Sequence, residues 1–174
     1  MNRYIALFRG INVGGRNSLS MKDLAGILED TGCVNIRTYI QSGNVVLDTD
    51  ERSRAAGEIG ARILEQHGFE PKLLMLDVKD FKTAIENNPF DTNNGKALHF
   101  FFLESEPEYP DVEKLEGLKT DSEEFELHRS VFYLHAPDGI GRSKLAGNVE
   151  KSMGVSVTAR NWNTVLKLQE MASQ

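Results

Sequence analysis

Two sets of residues have the types and spacing to hold an anion. In the first, Arg9, Asn12, Arg16 and Asn17 stand among Gly10, Gly14 and Gly15, and a polar run Gln41-Ser42-Gly43-Asn44 follows. In the second, Gly139 and Gly141 precede Arg142-Ser143-Lys144, with Arg160, Asn161 and Asn163 further on. The planar fork of arginine suits phosphate or carboxylate. Glycines strip away side chains so that backbone N–H groups can approach a ligand closely. A loop that feeds a helix amino terminus adds unsatisfied N–H groups and a favourable dipole. That dipole is worth only about 0.3–1 kcal/mol at an exposed site. Arg9 and Arg16 would therefore supply most of the attraction. Each feature also has a purely structural reading. Pro137-Asp138-Gly139 is a turn signal, Ser143 is a natural N-cap, and the amides of Asn44 and Asn161 can serve loop backbone.

Residues far apart in sequence form a site only if the elements gather them. Residues 3–9 read as a strand, Ser20 with Asp23 as a helix start, and Leu24, Ile27 and Leu28 as one helix face. Strands are expected over 34–41 and 44–49, joined at Ser42-Gly43, where Gly43 can take positive φ. A helix over 52–67, a strand over 70–77 and a short helix over 80–87 complete this half. Asn87-Asn88-Pro89 opens a turn-rich stretch reaching Gly95. After it the order repeats: strand 97–103, helix 110–118, strands 124–129 and 131–136, helix 143–153, strand 155–159 and a last helix over 161–172. Each half reads β-α-β-β-α-β plus one helix. The expected fold is α+β, a tandem duplication of two ferredoxin-like halves. The halves span residues 1–88 and 96–174, with a linker at 89–95, in one compact unit. In that topology the loop after strand one lies beside the hairpin of strands two and three. Arg9, Asn12, Arg16 and Asn17 should then face Gln41, Ser42 and Asn44. The exits of strands three and four share the other end, which should bring Arg142, Ser143 and Lys144 near Arg160, Asn161 and Asn163.

These same loops carry a likeness to a known family. The stretches Tyr4–Gly15 (YIALFRGINVGG), Arg37–Leu47 (RTYIQSGNVVL), Gly139–Leu145 (GIGRSKL) and Thr158–Leu168 (TARNWNTVLKL) together resemble the bacterial family known as domain of unknown function 1697. The resemblance spans nearly the whole chain. It implies a cytoplasmic bacterial protein with an α+β fold and brings no activity, substrate or catalytic residue. Family members often carry a bulkier aromatic where Leu47 stands, a difference of packing more than of chemistry.

Composition excludes several classes. The chain has 174 residues, 40% of them hydrophobic and 26% charged, the balance of a core-forming domain rather than a disordered one. Apolar runs such as Phe100–Leu103 fall far short of the roughly 20 residues that cross a bilayer. Tyr4–Phe8 is too short a run for a signal peptide, so no membrane partner is expected. The single cysteine, Cys33, forms no internal disulfide and reads as a small core residue in a cytoplasmic setting. The net charge of −6 arises in one segment. Residues 104–126 hold ten acids and two bases, a net of −8, which leaves +2 for the remainder. The acidity therefore does not argue against an anionic ligand elsewhere.

No Walker A sequence, dinucleotide fingerprint or nucleophile elbow is present. The histidines lack metal-ligand spacing, and neither a metal nor a cofactor is expected. Trp162 reads as an anchor for the last helix. The expected function is binding of a phosphate-bearing or other anionic small molecule, such as a nucleotide, through the Gly/Arg/Asn loops. One alternative is phosphoryl or acyl-phosphate hydrolysis. Acylphosphatases combine a ferredoxin-like fold, an arginine-bearing loop after strand one and an asparagine on a neighbouring strand, and Arg9 or Arg16 with Asn44 is similar; this is fold-level analogy. The other alternative is nucleic-acid binding by a sheet face bearing Tyr4, Phe8 and Tyr39. The acidic segment and the lack of a long basic run weigh against it.

Overall fold

The computed structural model describes residues 1–174, in this order: β1 (Asn2–Arg9), α1 (Met21–Asp30), β2 (Val34–Tyr39), β3 (Asn44–Thr49), α2 (Arg52–His67), β4 (Lys72–Asp77), α3 (Val78–Glu86), β5 (Leu98–Leu103), α4 (Val112–Leu118), β6 (Glu124–His128), β7 (Val131–His135), α5 (Val149–Met153), β8 (Val157–Asn161) and α6 (Trp162–Ala172). The protein is α+β, with two four-stranded sheets ordered β2-β3-β1-β4 and β6-β7-β5-β8. Every strand pairing is antiparallel.

The chain divides into two compact units, Met1–Thr83 with Leu168–Gln174, and Ala84–Lys167. The divisions fall within α3 and α6. The stretch 89–95, expected as a linker, lies wholly inside the second unit.

In the first unit, Tyr4, Ala6 and Phe8 alternate along β1 and pack with Leu24, Ile27 and Leu28 of α1 and Ile59 and Ile63 of α2. Period two on the strand meets period 3.6 on the helices, so both apolar sets face one core. Ser20 caps α1 as expected, its Oγ accepting from the Asp23 amide at 3.0 Å. Gly43 turns the β2–β3 connection at φ +86, and a Cβ there would lie 2.6 Å from Phe8 Cβ and 2.7 Å from Ile11 Cδ1. Only glycine meets both demands. Cys33 lies buried in this core. Tyr4 and Phe8 lie under the helices too, so the sheet does not offer them to bases.

In the second unit, Phe101, Leu103, Phe132 and Leu134 pack with Leu115 of α4 and Val149 and Met153 of α5. On the opposite face, Phe100 meets Tyr133 edge-on with centroids 4.8 Å apart and Trp162 at 5.8 Å, which gives Trp162 its anchoring role. The helix expected over 143–153 is shorter. Two 3-10 turns, at 140–142 and 146–148, precede α5. Ser143 caps the end of the first turn through its amide, and its Oγ accepts from the Ala146 amide at 3.0 Å. Glycines at 139, 141 and 147 disfavour a continuous helix across this stretch. The last strand begins two residues later than expected, after Gly154 ends α5 in the left-handed conformation.

Candidate functional site: the basic loop end of the first unit

The loop after β1 is ordered by its own asparagines. Asn12 Nδ2 donates to the carbonyls of Leu19 at 2.7 Å and Gln41 at 2.8 Å, and its Oδ1 accepts from the Leu19 amide at 2.8 Å. One side chain thus ties both ends of the loop's second half together and joins the loop to the β2–β3 turn. Asn17 Nδ2 donates to the Gly10 carbonyl at 2.8 Å, and the Asn12 amide donates to the Asn17 carbonyl at 3.0 Å. Both asparagines sit at φ +51, a conformation asparagine tolerates better than most residues. The expected meeting of this loop with the Gln41–Asn44 turn therefore occurs.

The glycines have a different role from the one their sequence suggests. Val13 and Arg16 exchange backbone hydrogen bonds, 3.2 Å and 2.9 Å, across Gly14 and Gly15. The two glycines stand at φ +56 and +75, the pattern of a type I′ turn. They make the tip of a miniature hairpin, and α1 starts only at Met21. The loop therefore does not hand its glycines to a helix amino terminus.

Arg16 is exposed at the base of that tip, and its side chain makes no hydrogen bond or ion pair. The Asn17–Gly10 bond holds the loop closed beside Arg9, the exposed last residue of β1. A further cation stands beside Arg9 that the sequence did not announce. Lys72 opens β4 directly opposite Arg9 in the strand register and is exposed. Only the β1–β4 pairing reveals it, since 63 residues of chain separate the two. No acidic residue occurs before Asp23, and none between Thr31 and Leu47, so the two loops themselves contain no acid.

Asn44 is in place but not available. It is fully buried, and its Nδ2 donates to the Tyr39 carbonyl at 3.1 Å and to Ser42 Oγ at 2.9 Å. It locks the turn rather than facing solvent. The same turn holds an unexpected feature: Ile40, half exposed, stands at φ +50. A β-branched residue there is a backbone outlier, costing about 1–2 kcal/mol relative to a right-handed conformation. Val13, which flanks the Gly14-Gly15 turn, is 62% exposed.

The second set of residues assembles differently. Register puts the exits of β7 and β8 at one end, with Leu98 opposite His135 and His99 opposite Asn161. The side chains do not converge. Val157 and Ala159 face the helix-covered core, so alternation along β8 sends Arg160 to the other face. There burial pulls its guanidinium down to about 10, and its Nη1 donates to the Ala159 carbonyl at 2.9 Å. Asn161 caps α6 through Oδ1, which accepts from the Thr164 amide at 3.0 Å. Asn163 lies against Gly95, where no Cβ would fit. The Lys144 carbonyl accepts from Asn148 Nδ2 at 2.7 Å.

Arg142 and Ser143 do line a cleft of about 270 Å³, counting its open mouth, together with Thr120, Glu123, Ala136, Asp138 and Gly139. The Ser143 hydroxyl donates to Glu123 Oε2, and the Thr120 amide donates to Oε1 at 3.0 Å. Burial works to raise the Glu123 carboxyl, but these bonds outweigh it and hold it below the ordinary range. Two carboxylates against one guanidinium make this cleft a poor anion site. Ser143 is a cap and Glu123 its anchor.

A family profile described as "Protein of unknown function (DUF1697)" matches residues 1–133. The match takes in the whole basic loop end and stops before the Gly139–Leu145 and Thr158–Leu168 stretches. Among solved structures, one similar chain is described as a conserved bacterial protein, SP0830, from Streptococcus pneumoniae, with a TM-score of 0.72, 24% identity and 98% of each chain covered. That likeness speaks for the fold. No curated protein matches the sequence. With its first 133 residues matched by the profile, the chain belongs to the DUF1697 family.

Proposed function

We propose that the first unit binds an anionic group, a phosphate or a carboxylate, at the loop end that carries Arg16, with Arg9 and Lys72 at the strand ends that follow it in the sheet. One observation carries this reading: Arg16 is exposed and unpaired on a loop held by three asparagine side-chain bonds to backbone at its two ends and one to the β2–β3 turn. A loop whose backbone is already held adds little ordering cost of its own when the arginine binds. Gly14 and Gly15 support the site as the turn that sets Arg16, and Gln41, Ser42 and Asn44 support it as the wall the loop leans on. The strand orders β2-β3-β1-β4 and β6-β7-β5-β8 support reading each half as ferredoxin-like and the whole as a tandem of two. The buried free thiol of Cys33 fits a cytoplasmic protein.

Acyl-phosphate hydrolysis is less well supported, because the Asn44 carboxamide nitrogen is engaged inside the fold. The test is titration of the ¹⁵N-labelled protein with inorganic phosphate and with a nucleoside monophosphate. Saturable shifts of the Val13–Asn17 amides, lost in Arg16→Gln, are expected. Amides that stay put at millimolar ligand would end the proposal.

A further inference from the structure

The same loop end exposes apolar side chains as well as a cation. Val13 flanks the Gly14-Gly15 turn opposite Arg16 and is 62% exposed. Ile40 stands in the adjoining turn, 50% exposed and in a left-handed conformation that asparagine or glycine would accept with less strain. The Asn12–Gln41 bond at 2.8 Å joins the residue before Val13 to the residue after Ile40, so the two stand on neighbouring loops. Arg16 pairs with Val13 across the turn, Arg9 ends the strand that feeds the loop, and neither loop holds an acidic residue.

We propose that this end of the first unit docks on an anionic lipid surface. The inference rests on the anion reading above and names the source of the phosphate, a lipid headgroup. Val13 and Ile40 would enter the boundary between headgroups and acyl chains, while Arg16 meets the phosphates. Apolar loop tips with basic side chains on the same loops suit a peripheral contact. No helix here is long and apolar enough to cross a membrane, and a contact made by loop tips needs none. A small soluble phosphate ester would use the cations alone and would leave Val13 and Ile40 without a role.

The experiment is co-sedimentation of the full chain with vesicles of equal parts phosphatidylcholine and phosphatidylglycerol, and with vesicles of phosphatidylcholine alone. Wild-type protein should pellet with the first and not the second, and added salt should release it. The double variant Val13→Ser, Ile40→Asn should lower partitioning by about tenfold, and Arg16→Gln by several-fold. Val13 is exposed and asparagine suits the backbone at 40, so both variants should retain wild-type circular dichroism. Phosphate-induced amide shifts without vesicle binding would overturn the lipid inference and leave the earlier reading intact. Absence of both would overturn the two together. Vesicle binding unchanged in the double variant, or equal on neutral vesicles, would also overturn the inference.

Discussion

At the scale of single residues, the loop end is built from side chains that serve the backbone. Asn12 makes three side-chain bonds to main-chain groups. Asn12→Gly keeps the positive φ and removes only those bonds. It should cost about 1–3 kcal/mol in urea unfolding and speed exchange of the Leu19 amide; an unchanged midpoint would contradict the role given to Asn12. Gly43→Ala should cost about 2–4 kcal/mol, from a Cβ pressed against Phe8 and Ile11 and from the strained φ. Ile40→Asn behaves oppositely. Relief of left-handed strain offsets the loss of a half-exposed side chain, so stability should stay within about 1 kcal/mol of wild type. A large loss at that position would show that Ile40 is held by the core. The chemistry-bearing residue types in these loops were legible in the sequence. Which of them remain free for a ligand was not, because Asn12 and Asn44 are engaged by backbone groups whose positions depend on the fold.

At the scale of elements, register and alternation decide what the chain order leaves open. Lys72 meets Arg9 because β4 pairs antiparallel with β1. Arg160 parts from Arg142 because period-two alternation sends it to the opposite face of its sheet. The end of α6 is a further case. Arg3 Nη1 donates to the Ala172 carbonyl at 3.1 Å, and its Nε donates to Asp48 Oδ1 at 2.9 Å. The Arg3 hydrogen bond, opposed by burial and helped by one from Asn35, holds the Asp48 carboxyl below its ordinary value. A depressed carboxyl contributes stability that is full above its unfolded pKa, about 4. That stability is lost as pH falls through the lower folded value. Protection factors for the last α6 amides should therefore drop below about pH 4, and Asp48→Asn should show reduced protection already at neutral pH. Protection that is flat down to strong acid would exclude the clasp.

At the scale of the whole molecule, the units are not two consecutive halves. Leu168–Gln174 belongs to the first unit although it ends the chain, and Leu168 is fully buried. Leu168→Ala should therefore cost about 2–5 kcal/mol. Hydrogen exchange should rise in β1 and β3 more than in β5 and β7. Loosening confined to the second unit's sheet would contradict the assignment. The turn-rich stretch 89–95 looked like a boundary because Asn, Pro and Gly punctuate it. Local composition reports where the chain turns and carries no information on which distant segment a helix packs with.

The sequence by itself determined nearly every element, the caps and turns at Ser20 and Gly43, the α+β class, the family and the residue types of the basic loops. These follow from local periodicity and backbone preference, which act over a few residues. Only the tertiary structure decided that Gly14-Gly15 forms a turn instead of a cradle, that Glu123 and Asp138 share the Arg142 cleft, and that Lys72 stands beside Arg9. Those outcomes depend on strand register and sheet face, set by burial across dozens of residues. No short-range pattern encodes them.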